Sequence, residues 1–381
     1  MPAHPLSDDI LRATLEARAE AASAADCART LGISRSALIN RLARAAARGL
    51  DGSLPQALPP GQVVKGVSTL YGADGRVAAT WVKTRAEGLG LPDVIEAVTD
   101  AMAEYAGRAE VTPPPPPGEP DLLTLFPWPD LHLGLYAWAD EAGEDYDLGI
   151  AEALVRGTFA DLVARAPASG HAVLLGLGDI THADDETATT RRSGNRLDVD
   201  TRHQKVLTAT VRLLIWAIDT ALARFEKVTV RLLKGNHDEQ TAAALAVALG
   251  VFYRDHPRVT VDGDPSLWWF YRHGRTLLGA THGHTCKADA MAGVMAATRP
   301  EDWGATDHRY ILHGHLHHRR VIETMGVPVE CLQAPAARDA WHAGAGYVSG
   351  RSMVAITYHA TRGEWGRVTV NIPIHRKGGA Q

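Results

Sequence analysis

"YILHGHLHHRR", residues 310–320, places four histidines within six positions, at 313, 315, 317 and 318. If Tyr310 to His313 form a strand that runs into a loop, residues two apart point the same way. His315 and His317 would then aim two imidazole nitrogens at one spot. Neutral imidazole is the commonest metal ligand in proteins. A histidine-rich loop is also compatible with a solvated turn, so the rest of the chain has to decide between the two interpretations.

The composition of the whole chain is that of an ordinary globular protein long enough for two or three domains. Its 381 residues are 45% hydrophobic and 22% charged, with a net charge of -5. This charge argues against a protein that coats nucleic acid by bulk charge, although it permits a local basic patch. Cys27, Cys286 and Cys331 are too few and too far apart for a disulfide framework. The N-terminus lacks the basic and apolar regions of a signal peptide, and no apolar stretch is long enough to span a membrane. We therefore expect a cytoplasmic protein.

The chain divides at "VTPPPPPGEP", residues 111–120, because consecutive prolines form an extended spacer without a core of its own. Residues 1–50 are predicted to form a helix-turn-helix domain. Residues 51–110 contain a β-hairpin at 62–84, either the wing of a winged helix or a small packing element, followed by an amphipathic helix. Residues 111–120 are the linker, and residues 121–375 form a larger domain.

The N-terminal segment "DCARTLGISRSALINRLARAAARG", residues 26–49, has the local pattern of a helix-turn-helix unit. A helix that ends near Leu31 would use Gly32 in the left-handed conformation, and Ser34 would cap the next helix. That second helix would present four polar side chains to DNA, namely Arg35, Ser36, Asn40 and Arg41. A helical scaffold that binds protein or nothing is the alternative.

After residue 120 strands and helices alternate and the chain ends in β-rich sequence, which predicts an α/β fold with sheets in the middle of a layered sandwich. Five predicted strands end in clusters of polar residues. They are Asp130 and His132 in "PDLHLG", Asp179 and His182 in "GDITH", Asn236 and His237 in "GNHDE", His282 and His284 in "THGH", and His315 and His317 in "HGHLHH". Ligands of open α/β sheets bind outside the carboxyl ends of the strands, so the five clusters are expected to converge on one site.

These motifs, in this order, resemble those of the calcineurin-like metallophosphoesterases over roughly residues 121–373. The resemblance implies an α/β/β/α sandwich that holds two divalent metal ions. It assigns one metal ion to Asp130, His132 and His317, and the other to Asn236, His282 and His315. Asp179 would bridge the two ions, and His237, with Asp238 beside it, would be the catalytic histidine next to the scissile phosphate.

The residue types suit this chemistry. Two metal ions can hold a bridging hydroxide and the non-bridging oxygens of a phosphate. Oxygen and imidazole ligands without thiolate suit manganese, iron or zinc, of which we expect manganese. His237, protonated or hydrogen-bonded by the adjacent Asp238, would deliver a proton to the leaving alkoxide or stabilise its charge.

Differences from the family motifs narrow the range of expected substrates. "GDITHADDE" and "GNHDE" differ from the protein phosphatases, which continue Gly-Asp with Asp-Arg-Gly and use Gly-Asn-His-Glu. His182, three residues after Asp179, together with "DLHLG" and "GHLHH", resembles the double-strand-break repair exonucleases. Over almost its full length the chain also resembles phage and prophage metallophosphoesterases that carry an N-terminal helix-turn-helix. We therefore predict a nuclease acting on DNA, for which a homodimer and an ATPase partner are further expectations.

Several residues near the motifs have two open interpretations. Two interpretations are open for four histidines: they face the substrate, or they face solvent and the neighbouring ligands. The four are His182, His284, His313 and His318. Arg191 and Arg192 belong to the insert at residues 184–205, which either follows a phosphate backbone or is a solvated loop whose five acids cancel its five bases. In "AARDAWH", residues 336–342, no motif assigns a role to Arg338, Asp339 or His342.

Two other functions remain open from the sequence. One is a small-molecule phosphoesterase that acts on a cyclic nucleotide or a phosphomonoester. The other is a DNA-binding accessory protein whose phosphoesterase domain only binds, although the complete ligand set weighs against it.

Overall fold

The computed structural model describes residues 7–51, 62–71, 76–86, 109–191 and 193–373. The chain divides into two compact units, Met1–Ala101 and Met102–Gln381. Among the described helices, none is both long enough and apolar enough to cross a membrane.

In its described residues, the first unit contains three helices and a hairpin. The helices are α1 (Asp8–Glu20), α2 (Ala24–Thr30) and α3 (Arg35–Ala47), and the antiparallel strands are β1 (Gln62–Tyr71) and β2 (Val77–Ala86). Gly32, between α2 and α3, has a φ of 65°, a conformation that glycine adopts without steric cost. Ser34 Oγ accepts a hydrogen bond of 3.0 Å from the backbone N–H of Ala37 and so caps α3. Cys27, Ala28 and Leu38 form the buried core of the helices.

The residues predicted to contact DNA lie on α3. Arg35 and Asn40 are exposed, and Arg41 is half-buried. Ser36 belongs to α3, but its side chain lies outside the described residues. Contact with DNA stays a prediction.

The second unit is built on two sheets. The six-stranded sheet has the order β13-β12-β3-β4-β5-β6, and the five-stranded sheet has the order β10-β11-β9-β8-β7. The strands are β3 (Glu119–Trp128), β4 (Ser169–Gly176), β5 (Lys227–Leu232), β6 (Val259–Asp262), β7 (Trp268–His273), β8 (Thr276–Thr281), β9 (His308–His313), β10 (Arg320–Thr324), β11 (Val327–Cys331), β12 (Ser352–His359) and β13 (Gly363–Asn371). The helices are α4 (Ala139–Ala142), α5 (Leu148–Arg165), α6 (His203–Leu222), α7 (Glu239–Phe252), α8 (Ala288–Thr298), α9 (Pro300–Gly304) and α10 (Ala340–Gly344).

Alternation along the strands explains why the sheets stack. In β3, Leu123 and Leu125 face the core between the two sheets, whereas Phe126 and Trp128 pack with the helices. Helices α5, α6 and α7 cover the outer face of the six-stranded sheet, and α8 covers that of the five-stranded sheet. The predicted α/β/β/α sandwich is therefore confirmed.

The first strand of the sandwich begins earlier than the sequence suggested. Glu119 and Pro120, the last two residues of the predicted linker, belong to β3. The backbone N–H of Glu119 donates to the carbonyl oxygen of Ala168 at 2.8 Å, which ties the end of the linker to the residue before β4.

Candidate metal centre

The loops that follow β3, β4, β5, β8 and β9 carry all seven predicted metal ligands. In the six-stranded sheet, β3, β4 and β5 run parallel, and in the five-stranded sheet β8 and β9 run parallel. Their carboxyl ends therefore deliver loops from both sheets to one edge of the sandwich.

Six of the seven predicted ligands form two groups of three. The first group is Asp130, His132 and His317, and the second is Asp179, His282 and His315; within each group the ligand atoms lie within 4.8 Å of one another. In the first group, Nε2 of His317 lies 3.1 Å from Nε2 of His132 and 3.5 Å from Oδ1 of Asp130. His315 and His317 therefore belong to different groups.

Asp179, a member of the second group, also lies near a histidine of the first. Its Oδ2 is 3.1 Å from Nε2 of His282 and 4.0 Å from Nε2 of His132. Asn236 joins the second group through its Oδ1, which is 3.0 Å from Nε2 of His282. One carboxylate oxygen is thus placed next to a ligand of each group, where a bridging ligand has to be.

The hydrogen bonds of His282 test whether a cation fits here. Its Nδ1 donates to the carbonyl oxygen of Leu177 at 2.8 Å, so the neutral ring presents a lone pair at Nε2. That lone pair faces Oδ2 of Asp179 and Oδ1 of Asn236, which are also acceptors. Burial alone would lower the pKa of His282, but the Asp179 carboxylate raises it to about 10. The site favours positive charge, and its oxygen and nitrogen donors fit manganese, iron or zinc.

Left-handed backbone is concentrated at the ligands. Of the seven non-glycine residues with positive φ in the described part of the chain, five are predicted ligands: Asp130, His132, Asp179, His315 and His317. Each such residue costs about 1–3 kcal/mol and persists only where its surroundings hold it, which is typical of functional sites. Both oxygens of Asp130 accept from the backbone N–H of His315 at 3.0 Å.

Strand alternation is the wrong explanation for the placement of His315 and His317. Both residues follow the end of β9 and have φ values of 72° and 58°, so the two-residue period of a strand does not apply to them. The same correction holds for Asp130 and His132, which follow β3 with φ values of 48° and 45°.

The hydrogen bonds of the Asp238 carboxylate go to backbone N–H groups rather than to the His237 imidazole, contrary to the expectation from sequence. Its fully buried carboxylate accepts from the backbone N–H groups of Asp179 and Gly235 at 3.0 and 2.9 Å, and from those of Ile180 and Thr181 at 2.6 and 3.4 Å. A Cβ added at Gly235 would overlap Oδ1 of Asp179, so glycine is needed for this close approach. Asp238 therefore joins the loops that follow β4 and β5.

His237 is held by other groups. Its Nδ1 donates to the carbonyl oxygen of His182 at 2.8 Å, and its backbone N–H donates to Oδ1 of Asp179 at 2.8 Å. Its ring centroid lies 4.8 Å from that of His132. Because Nδ1 is engaged, Nε2 is the ring nitrogen left for a substrate.

The residues with two predicted interpretations occupy different environments. His182 is buried, with its Nδ1 3.1 Å from Nδ1 of His132, so it supports a ligand rather than facing solvent. His284 is half-buried, with its ring centroid 5.2 Å from that of His282. Arg191 is paired with Asp184 at 3.8 Å. Three further residues complete this set: His313 is buried, His318 is exposed, and Arg192 lies outside the described residues.

The structure adds two residues that the motifs did not identify. The imidazole of His342 stacks on that of His317, with centroids 5.0 Å apart and an angle of 17° between the rings. Nδ1 of His342 is 2.7 Å from Oδ1 of Asp339, whose pKa is lowered to about 2 because hydrogen bonds from His342 outweigh the effect of burial. The signal that could have found them was the Asp and His three residues apart in "AARDAWH".

Metal binding should stabilise the second unit. We expect metal-free protein to take up two equivalents of manganese or zinc per chain and to gain about 5–10 °C in melting temperature at saturating metal, because the ions bind only the folded state. Elemental analysis and thermal melts with and without chelator measure both effects. One equivalent, or an unchanged melting temperature, would contradict the two-group arrangement.

No family model and no curated protein matches the chain. Among solved structures, an uncharacterized protein described as a predicted phosphoesterase from Streptococcus pneumoniae aligns at 12% identity, over 66% of this chain and 98% of that one, with a TM-score of 0.26. Vps29 in complex with zinc from Entamoeba histolytica aligns at 12% identity, over 66% and 99%, with a TM-score of 0.28. An archaeal phosphodiesterase aligns at 10% identity, over 65% and 99%, with a TM-score of 0.32. Likeness this low leaves the geometry of the site as the basis for assigning a function.

Proposed function

We propose that this protein is a two-metal phosphodiesterase of the calcineurin-like kind and that its substrate is DNA. The observation that carries the proposal is the position of Asp179, whose Oδ2 lies beside a histidine of each ligand group. A carboxylate in this position can hold two cations close enough for one phosphate to contact both.

The protein groups have separate tasks in this reaction. Two divalent cations bound by the ligand groups would supply Lewis acidity to the phosphate oxygens and lower the pKa of a water molecule. His237, fixed through Nδ1 by the His182 carbonyl, would donate a proton from Nε2 to the leaving oxygen. Asp238 holds the loops of Asp179 and His237 in register through its backbone contacts.

The choice of DNA rests on the first unit. The turn between α2 and α3, the Ser34 cap and the exposed Arg35 and Asn40 are compatible with a DNA-binding helix-turn-helix. A DNA-binding module on the same chain would raise the concentration of DNA at the phosphoesterase site. A small phosphoester is the second candidate, because a cavity of about 530 Å³ lies beside His317, within the usual range for small-molecule sites.

Hydrolysis by wild type and by His237→Ala tests the proposal. Metal-free protein is reloaded with manganese and offered labelled double-stranded and single-stranded DNA alongside bis-p-nitrophenyl phosphate. We expect DNA cleavage by wild type and a roughly 10²- to 10⁴-fold lower kcat in His237→Ala, since it lacks the proton donor. His359→Ala, at the end of β12, is the matched control and should retain wild-type activity.

The two arms of this experiment separate the candidate functions. Hydrolysis of bis-p-nitrophenyl phosphate without DNA cleavage would indicate that the substrate is a small phosphoester and not DNA. Equal rates of hydrolysis for His237→Ala and wild type would show that His237 does not donate the proton.

A further inference from the structure

A cavity of about 530 Å³ opens next to the first ligand group, and its wall contains His317, His342, Tyr347 and Val348. A phosphate held at the ligand groups would therefore extend part of its ester into this space. The role of the cavity thus rests on the proposed function. The chemical group that the cavity accepts decides which class of phosphoester the protein binds.

Two exposed aromatic side chains lie together here: Tyr347 lines the cavity, and Trp341 stacks on Tyr347 outside the lining. Trp341 is 65% exposed and Tyr347 is 54% exposed, and their rings stack with centroids 5.6 Å apart and an angle of 25°. We call Trp341 and Tyr347 the aromatic platform. Exposing two large rings together forgoes the stabilisation that burial would give, which is typical of binding surfaces.

The platform is held in place by the short helix α10. Asp339 caps that helix by accepting from the backbone N–H of His342 at 2.8 Å. The backbone N–H of Tyr347 donates to the carbonyl oxygen of His342 at 3.0 Å, which fixes the turn that returns Tyr347 to Trp341. These contacts and the ring stacking hold Tyr347 next to Trp341.

His342 connects the platform to the metal centre. Its ring stacks on His317, and the Trp341 ring meets it edge-on with a centroid distance of 5.0 Å and an angle of 88°. The Tyr347 ring lies 5.9 Å from the same imidazole. The platform is thus separated from a predicted metal ligand by a single imidazole ring.

We propose that Trp341 and Tyr347 bind, by stacking, the base of a nucleotide adjacent to the scissile phosphate. A planar base offers the face that exposed aromatic rings bind, and such stacking does not require a particular base. Bases in a duplex already have both faces covered, whereas an unpaired nucleotide has a face available. The substrate class is therefore single-stranded DNA or an unpaired DNA end.

Binding of two short oligonucleotides tests this proposal. One is a labelled single-stranded deoxyoligonucleotide, and the other has the same length and charge but abasic residues, so that backbone binding cancels in the ratio of their Kd values. We expect full-length wild type in chelator, where no hydrolysis occurs, to prefer the base-bearing strand by about tenfold. Trp341→Ala and Tyr347→Ala should each bring that ratio close to one, and Trp341→Phe should retain most of the preference.

Trp365→Ala is the matched control, since Trp365 is 50% exposed on β13 and packs against His359. A ratio of one in wild type, or a ratio that Trp341→Ala and Tyr347→Ala leave unchanged, would overturn the proposal. Hydrolysis of the same strands by manganese-loaded protein separates the two proposals. If Trp341→Ala and Tyr347→Ala cleave DNA as fast as wild type, the role of the platform is contradicted but the proposed reaction is not. If binding depends on the bases but no DNA is cleaved, the proposed reaction is contradicted and the role of the platform stands.

Discussion

Asp179→Asn is expected to lower kcat/KM for phosphodiester hydrolysis by about 10³-fold or more. The amide keeps the size of the side chain but removes the negative charge that lies beside His282 and His132. Metal ions contribute several kcal/mol to such reactions, and each 1.4 kcal/mol is a factor of ten. Steady-state kinetics and metal content should be measured on the same preparation, with fewer than two equivalents of metal expected.

Asp185→Asn is the control for this charge change, because Asp185 is exposed and its carboxylate accepts hydrogen bonds from Thr187 in its own turn. We expect it to keep two equivalents of metal and wild-type kinetics. Full activity in Asp179→Asn would show that the carboxylate does not join the two ligand groups.

Asp238→Asn is expected to lower the free energy of unfolding by about 3 kcal/mol or more, because an amide N–H₂ would face backbone donors and leave buried groups without an acceptor. In a domain of this size that corresponds to a fall of roughly 6–12 °C in melting temperature. The comparison should be made at pH 8, since burial and the charge of Asp179 raise the pKa of Asp238 to about 7. Thermal melts of metal-free protein measure the effect without a contribution from metal.

The matched control is Asp264→Asn, an exposed carboxylate that accepts from the backbone N–H of Ser266 at 2.8 Å. We expect a change of about 0.5 kcal/mol or less there. If Asp238→Asn melted at the same temperature as the control, the buried carboxylate would have no structural role.

The sandwich and the position of the site could be predicted because both follow from local patterns. Apolar strands that alternate with helices predict the layers, and a polar residue just after an apolar strand marks its carboxyl end. His282 after β8 and Asn236 after β5 are examples, and the fold brings both side chains within hydrogen-bonding distance.

Side-chain direction in the loops could not be predicted, because it depends on backbone conformation that the sequence does not display. Asp238 is adjacent to His237 in the chain, yet its carboxylate bonds to the backbone of the loop after β4. The contact of His342 with His317 joins two segments that no shared motif connects. This contact depends on the folding of the chain between the two segments, and no local sequence pattern indicates it.

Each ligand group takes residues from both sheets: His132 and His317, which meet at 3.1 Å, are 185 residues apart in the chain. Neither sheet alone carries a complete group, so both groups are complete only when the two sheets are stacked. A bound cation would therefore act as a non-covalent cross-link across the stacked sheets. A chain whose sheets had separated would keep the strands of each sheet but would lose both ligand groups.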